Sequence, residues 1–293
     1  MKPTTIFSVS ALVLSVPVAS ASTIYSSDLD DGTGWGIVEN GDTSSQFGFD
    51  YSALGIPSAP NGTGTTGLRL AANISADAPG GGSAIAAHPG ISVSGQYTVQ
   101  FDFWLNYHIN GSTEDGGGSV GFNPGNGVPL GGTSLIVNTD GDSGSDYRLF
   151  NGGTSLSLAS GMYSITSLNN GDPSNLALQT AFPSQTAPAE QGTGYTNQAG
   201  SFAFAWHTML IDVDSAAQTA SFSIDGFHFG TVTGGDYTGD VALIYQDPFG
   251  SVSGNADLGF GVFDNLVVEQ IPEPSTAILI ALSAGLIGLR RRK

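Results

Sequence analysis

Carboxylates are the first residues to consider for chemistry, because glycoside hydrolysis needs two of them roughly 5–10 Å apart. On a strand, carboxylates at positions i and i+2 or i+4 share one face and meet this requirement. Asp212 and Asp214 have the spacing, but they fall where a strand pattern runs out into a Ser-Ala-Ala turn. The glutamates that precede residue 271 are not paired in this way: Glu39, Glu114, Glu190 and Glu269. The sequence therefore predicts no catalytic residues.

Other enzyme classes are no better supported. A polysaccharide lyase would need a cation to neutralise a uronate and a Tyr or His base. Between Lys2 and the C-terminal basic cluster the only cations are Arg69 and Arg148, and neither lies in a lyase motif. The histidines lack metal-ligand spacing, which favours polar strand positions over zinc ligation: His88, His108, His207 and His228. A secreted glycoside hydrolase or polysaccharide lyase remains the alternative.

One acidic loop has ligand spacing for a hard cation. Oxygen-bearing side chains alternate along a Gly-containing loop, as calcium prefers: Asn138, Asp140, Asp142 and Asp146. The pattern departs from an EF-hand because Ser143 stands in the place of the expected Gly and Leu149 in that of a bidentate Glu. A solvated acidic turn is the alternative reading. Calcium is the one cofactor the sequence suggests, held by this loop or by Asp264.

The clearest strand pattern runs from Tyr97 to His108 and carries the predicted ligand site. Alternation places an apolar row on one face: Tyr97, Val99, Phe101, Phe103, Leu105 and Tyr107. Trp104, Asn106 and His108 share the opposite, polar face. Sugars stack on aromatic rings and hydrogen-bond to short polar groups, so this face is the predicted glycan site. The alternative is that Trp104 packs under a covering loop.

The elements that would position these residues are strands. Further strand patterns, separated by Gly, Asn and Asp turns, cover Gly67–Ile74, Ser134–Asn138, Tyr147–Phe150, Ser201–Val213, Thr219–Asp225, Phe227–Val232, Val241–Gln246 and Gly259–Glu269. Glycine clusters such as Gly116-Gly117-Gly118 are expected to form turns. Helical periodicity is absent outside the two ends. The sequence thus predicts an all-β fold, an antiparallel two-sheet jelly-roll sandwich over residues 22–270.

A family resemblance points the same way. The segments Trp206–Val213 and Ala220–Gly226 resemble paired back strands of concanavalin-like jelly rolls, and Val262–Val268 resembles the final strand of that superfamily. The resemblance implies two curved sheets, often a structural calcium, and glycan binding on the concave face in many members.

The N-terminus has the features of a secretory signal peptide over residues 1–21. Lys2 precedes an apolar stretch from Ile6 to Val18, and Ala19-Ser20-Ala21 fits a small-x-small cleavage site at Ala19 and Ala21. We therefore expect the mature protein to begin at Ser22.

The C-terminus, residues 271–293, has three parts in a fixed order. A Pro-Glu-Pro turn at Pro272, Glu273 and Pro274 is followed by a charge-free run over Ala277–Leu289 and a basic cluster over Arg290–Lys293. This tail resembles the PEP-CTERM sorting signal, which implies an exported protein processed near the turn by exosortase, a membrane-embedded transpeptidase. A plain membrane anchor is the alternative. The run is shorter than the roughly 20 residues of a stable span, so a transient sorting helix fits better.

Net charge and cysteine content limit which partners and which kinds of chemistry are possible. Two arginines against 24 carboxylates give residues 22–270 a formal charge of −22, which excludes nucleic acid as a partner. Cysteine is absent, so disulfides and thiolate chemistry are excluded. We expect a non-catalytic binding or extracellular-matrix module at the cell surface, with polysaccharide as its ligand and transient membrane contact through its tail. A purely structural envelope protein is a further alternative.

Overall fold

The computed structural model describes residues 21–75, 81–108, 114–127, 131–139, 147–152, 176–235, 237–250 and 252–272. The strands in these ranges are β1 Ser22–Ser27, β2 Gly36–Asn40, β3 Thr43–Asp50, β4 Thr66–Ala72, β5 Ser83–His88, β6 Gln96–Asn106, β7 Asp115–Phe122, β8 Thr133–Asn138, β9 Tyr147–Asn151, β10 Trp206–Asp214, β11 Thr219–Ile224, β12 Phe227–Thr233, β13 Asp240–Asp247 and β14 Phe260–Gln270. One short α-helix, α1, spans Leu176–Ala181.

The strands form two sheets in which every named pair is antiparallel. The large sheet has the order β12-β11-β10-β6-β14-β4-β3, and β1 also pairs with β14. The small sheet has the order β2-β5-β13-β7-β8-β9. Neighbours in space are often distant in sequence, as in a jelly roll: β14 lies between β6 and β4. The prediction of an all-β antiparallel sandwich is confirmed.

The main core lies between the sheets and follows from the alternation in β6. Phe101, Phe103 and Leu105 are at most 1% exposed and belong to one cluster with Leu135 and Tyr245 of the small sheet. Burying rings of this size is the largest favourable contribution such a sandwich has. The apolar row predicted from the sequence is therefore the inner face of β6.

The Gly116–Gly118 cluster lies inside β7 and not in a turn, so that expectation is wrong. A Cβ on Gly118 would stand 2.6 Å from Cζ of Phe101, and one on Gly116 would collide with Leu105. The large core side chains of β6 occupy the space that β7 side chains would fill. Glycine is required here by close packing between the sheets.

The predicted ends lie largely outside the described residues. Residues 1–20 and 273–293 carry most of the signal peptide and sorting tail, including Ala19, Glu273 and Pro274. Ala21, which precedes β1, is exposed, and Pro272 is half-buried. No helix in the described part of the chain has the length and hydropathy that a membrane span requires.

Candidate functional site

The predicted ligand face of β6 is covered. Trp104 is 4% exposed and Asn106 is fully buried, so the expectation that they form an open platform is wrong. Trp104 packs edge-on against Trp206, with 6.0 Å between ring centroids, in a second apolar cluster that includes Phe204. From Phe101 onward β6 is buried on both faces. The alternative, in which Trp104 packs under a covering loop, is the arrangement observed.

Hydrogen bonds hold that cover in place. Asn106 donates from Nδ2 to the Leu258 carbonyl at 2.7 Å, and its Oδ1 accepts from Gln191 Nε2 at 2.8 Å. Trp104 Nε1 also donates to this Oδ1, at 3.3 Å. His108 is half-buried, with its ring edge-on to Tyr195. Trp104 and Asn106 therefore stabilise the fold and do not face solvent.

The calcium prediction remains a prediction. Asp140, Asp142 and Asp146 lie outside the described residues. Asn138 ends β8, and its Nδ2 donates to Asp115 Oδ1 at 3.1 Å. Among the described residues, no group of three or more His, Asp or Glu side chains is arranged to hold a metal ion.

The two arginines of residues 22–270 both contact other side chains of the fold, which bears on the alternative of a polysaccharide lyase. Arg148 Nη1 donates to the buried Asp115 carboxylate at 2.7 Å, and Gln246 Nε2 donates to the same oxygen at 2.9 Å. Burial raises the pKa of Asp115, and the Arg148 charge opposes that rise. The Arg69 guanidinium lies 5.1 Å from the centroid of the Phe260 ring. Both cations therefore have partners within the fold.

Asp212 and Asp214 do share one strand, at the end of β10. Partial desolvation raises the pKa of Asp212. Hydrogen bonds from the Ala217 amide and from Gln96 lower the pKa of Asp214. Both line a cavity of about 240 Å³. The two carboxylates therefore line one cavity, and their pKa values are shifted in opposite directions.

A larger open pocket lies beside β1 and β14, and we call it the Trp35 pocket. Its volume is about 490 Å³. Its wall carries aromatic, amide and carboxylate side chains: Tyr25, Asp28, Asp31, Trp35, Asn61 and Asn265. Trp35 is half-buried, because its ring contacts Tyr25 at 6.2 Å and Phe47 at 5.5 Å between centroids. The pocket thus presents a supported aromatic ring next to polar groups.

A buried carboxylate fixes the two amides of this wall. Asp102 of β6 is fully buried and accepts from Asn61 Nδ2 at 2.7 Å and from Asn265 Nδ2 at 2.9 Å. It also accepts from the Asn61 backbone amide at 3.0 Å and from the Thr208 hydroxyl at 2.6 Å. Four donors satisfy a carboxylate that would otherwise be costly to bury. Asp102 therefore positions Asn61 and Asn265.

Asp264, which the sequence suggested as a possible calcium ligand, directly precedes Asn265, which lies at this wall. Asn265 has a left-handed φ of 53° at an irregularity in the β6 pairing, a conformation that Asn tolerates better than most residues. Asp264 accepts from the Tyr51 hydroxyl at 2.9 Å and from the Asn265 amide at 2.7 Å. Burial raises the pKa of Asp264 to about 6. The bulge turns Asn265 toward the pocket.

Sequence reasoning did not find the Trp35 pocket. Its wall is assembled from three separate stretches of the chain, around Trp35, Asn61 and Asn265. None of these stretches has a recognised spacing. The available signals were a tryptophan outside the clear strand patterns and the Asp264-Asn265 pair of the final strand.

Comparison with known proteins identifies the tail. Residues 270–293 match the PEP-CTERM protein-sorting motif. The chain carries this motif. The resemblance read from the Pro-Glu-Pro turn, the apolar run and the basic cluster is confirmed. A search of curated protein sequences finds no match.

Solved structures with a similar backbone trace include a carbohydrate recognition domain, a carbohydrate-binding module and a β-glucanase. The metal-free carbohydrate recognition domain of Emp46p is 11% identical with a TM-score of 0.46, over 85% of this chain and 98% of that one. The carbohydrate-binding module CBM66 from Bacillus subtilis is 11% identical with a TM-score of 0.39, over 81% and 96%. A Bacillus licheniformis β-glucanase is 10% identical with a TM-score of 0.41, over 87% and 100%.

Proposed function

We propose that this protein is an exported, surface-sorted β-sandwich that binds glycans without catalysis, and that the Trp35 pocket is its binding site. The observation that carries the proposal is the pocket wall itself. Trp35 offers an aromatic surface for the CH face of a sugar, and Asn61 and Asn265 are held rigidly beside it. Fixed polar groups lose little conformational entropy on binding, which favours affinity.

The polar chemistry of the wall suits hydroxyl-rich ligands. Asp28 and Asp31 are exposed at the pocket and can accept hydrogen bonds from sugar hydroxyls. Hydrogen bonds from Thr33 lower the pKa of Asp31, so this group is an acceptor at neutral pH. The formal charge of −22 over residues 22–270 disfavours polyanions. We therefore propose a neutral polysaccharide as the ligand.

The sorting motif supports the location. A protein-sorting motif at residues 270–293 fits export and delivery to the cell surface or extracellular matrix, with exosortase as the processing partner. Binding a polysaccharide there would attach the module to the matrix.

A glycan-array screen of the exported protein, followed by calorimetric titration of each hit, tests the proposal. Trp35→Ala should weaken binding by about 1–3 kcal/mol because it removes the stacking surface, whereas Trp35→Phe should restore part of the affinity. Phe249→Ala is the matched control, since Phe249 is 57% exposed and outside the pocket. Equal affinity of Trp35→Ala and the parent would contradict the proposal.

A hydrolase is the second candidate, favoured by the two carboxylates, Asp212 and Asp214, that line one cavity of about 240 Å³. Release of reducing ends from a bound polysaccharide, lost in Asp212→Asn, would support this candidate. A purely structural envelope protein would bind no glycan and release no sugar.

A further inference from the structure

The two processed ends of the chain leave the fold side by side. Ser22, the first residue of β1, is the register partner of Gln270, the last residue of β14. On its other side, β14 pairs with β6, and there Gln270 is the register partner of Tyr97. Predicted signal cleavage precedes Ser22, and the matched sorting motif begins at Gln270. Both junctions therefore lie at one end of the large sheet.

No spacer separates the sheet from the sorting motif. Ile271 still donates its amide hydrogen to the Gln96 carbonyl at 2.9 Å. The Gln270 side chain donates to the same carbonyl at 2.7 Å and to that of Ser94 at 3.2 Å. Pro272 follows, and it has no N–H with which to continue the pairing. The first motif residues are thus part of the folded body.

This attachment is firm because β14 is an interior strand at that end. Leu266–Gln270 pair with β1 on one side, and Val267–Gln270 pair with β6 on the other. Pulling the junction away from the sheet would break both ladders. An extended chain covers at most about 3.6 Å per residue, so the three residues that follow Ile271 reach at most about 11 Å from it.

We infer that the end of the large sheet formed by Ser22, Ser94, Gln96 and Ala217 is the surface that the folded body presents to the membrane enzyme acting on the sorting motif. An enzyme that binds the Pro-Glu-Pro turn must lie close to this surface, because only a few residues separate the turn from the sheet. The partner is a protein and not the lipid surface, because the strongly negative body is repelled by anionic headgroups. The inference rests on the proposed surface sorting and not on the glycan site.

Processing kinetics in the native cell test the inference. Ser94 and Ala217 are exposed at this end. Gln198 is exposed near the opposite end of β6, because its neighbour Asn197 donates to the Ala203 carbonyl and Ala203 forms a bridge with Leu105. We expect Ser94→Trp and Ala217→Trp to slow tail removal by about fivefold or more, a change equivalent to about 1 kcal/mol, and Gln198→Trp to leave it unchanged. A Gly-Ser spacer of about 12 residues before Pro272, spanning roughly 20 Å, should restore the rate in both slow variants.

Two results would overturn the inference. One is wild-type processing of both Trp variants. The other is slow processing that the spacer does not restore, because contact between this surface and the enzyme would then not be what limits processing. A parent chain that keeps its tail would instead refute the sorting proposal itself.

Crosslinking identifies the partner directly. The chain has no cysteine, so Ser94→Cys provides a unique attachment point for a photo-crosslinker on the full chain. We expect a crosslink to the sorting enzyme from Ser94→Cys and none from Gln198→Cys. Crosslinks to lipid alone would assign the surface to the membrane and reject an enzyme contact.

Discussion

Replacing Trp104 by alanine should lower the free energy of unfolding. The reason is that Trp104 is a buried packing residue and not part of an exposed binding site. Trp104 is 4% exposed and packs against Trp206 in the cluster on the outer face of β6. A large aromatic side chain buries about 150–250 Å², or about 4–6 kcal/mol at about 25 cal/mol per Å². Measured Trp→Ala costs in cores are about 3–5 kcal/mol. We expect a loss in that range, a large part of the about 5–15 kcal/mol that stabilises a typical domain.

Two further variants provide reference values for the loss of stability in Trp104→Ala. Phe101→Ala on the inner face of β6 should cost a similar amount, about 3–5 kcal/mol, because Phe101 is 1% exposed in the main core. Trp35→Ala should cost about half as much, since Trp35 is half-buried and already leaves part of its area in water.

Urea unfolding followed by circular dichroism measures all three variants, with a common m-value as the sign of a shared unfolding transition. A cost below about 1 kcal/mol for Trp104→Ala would refute the reasoning, because a ring buried on this scale cannot be removed so cheaply. In that case the cover over β6 would open readily in solution, and Trp104 would again be a candidate for glycan contact.

Three further predictions concern pH, calcium and the ends. Burial raises the pKa of Asp247 and of Asp264 from 3.8 to about 6, so their contribution to stability is present below about pH 4 and is lost as pH rises through about 6. The unfolding free energy of Asp247→Asn relative to the parent should therefore rise across that window and then level off; a flat difference would contradict this. Calcium at about 10 mM should raise the melting temperature if Asn138–Asp146 bind it, and no rise would reject the site. Mass spectrometry of surface material should show a start near Ser22 and loss of the chain beyond about Glu273, whereas an intact C-terminus would exclude sorting.

The sequence by itself determined the features that are encoded by neighbouring residues. The period-two alternation of β6 identified the strand and its core face, because successive side chains point to opposite sides of any strand. The order of the Pro-Glu-Pro turn, apolar run and basic cluster identified the sorting motif. Turn residues between strand patterns indicated an antiparallel sandwich. Weakly alternating strands, such as the glycine-containing β7, were not recognised. Their residue types are set by the side chains that they pack against across the core, such as Phe101 and Leu105 of β6, and not by alternation along the strand.

Only the tertiary structure decided which polar faces remain open. Alternation shows that Trp104 and Asn106 lie opposite the core, but it cannot show that a segment containing Gln191, 85 residues along the chain from Asn106, covers them. The Trp35 pocket likewise depends on Asp102, which joins Asn61 and Asn265 across separations of 41 and 163 residues. Exposure is a property of the packed molecule, set by contacts between distant segments, and local sequence carries little information about it.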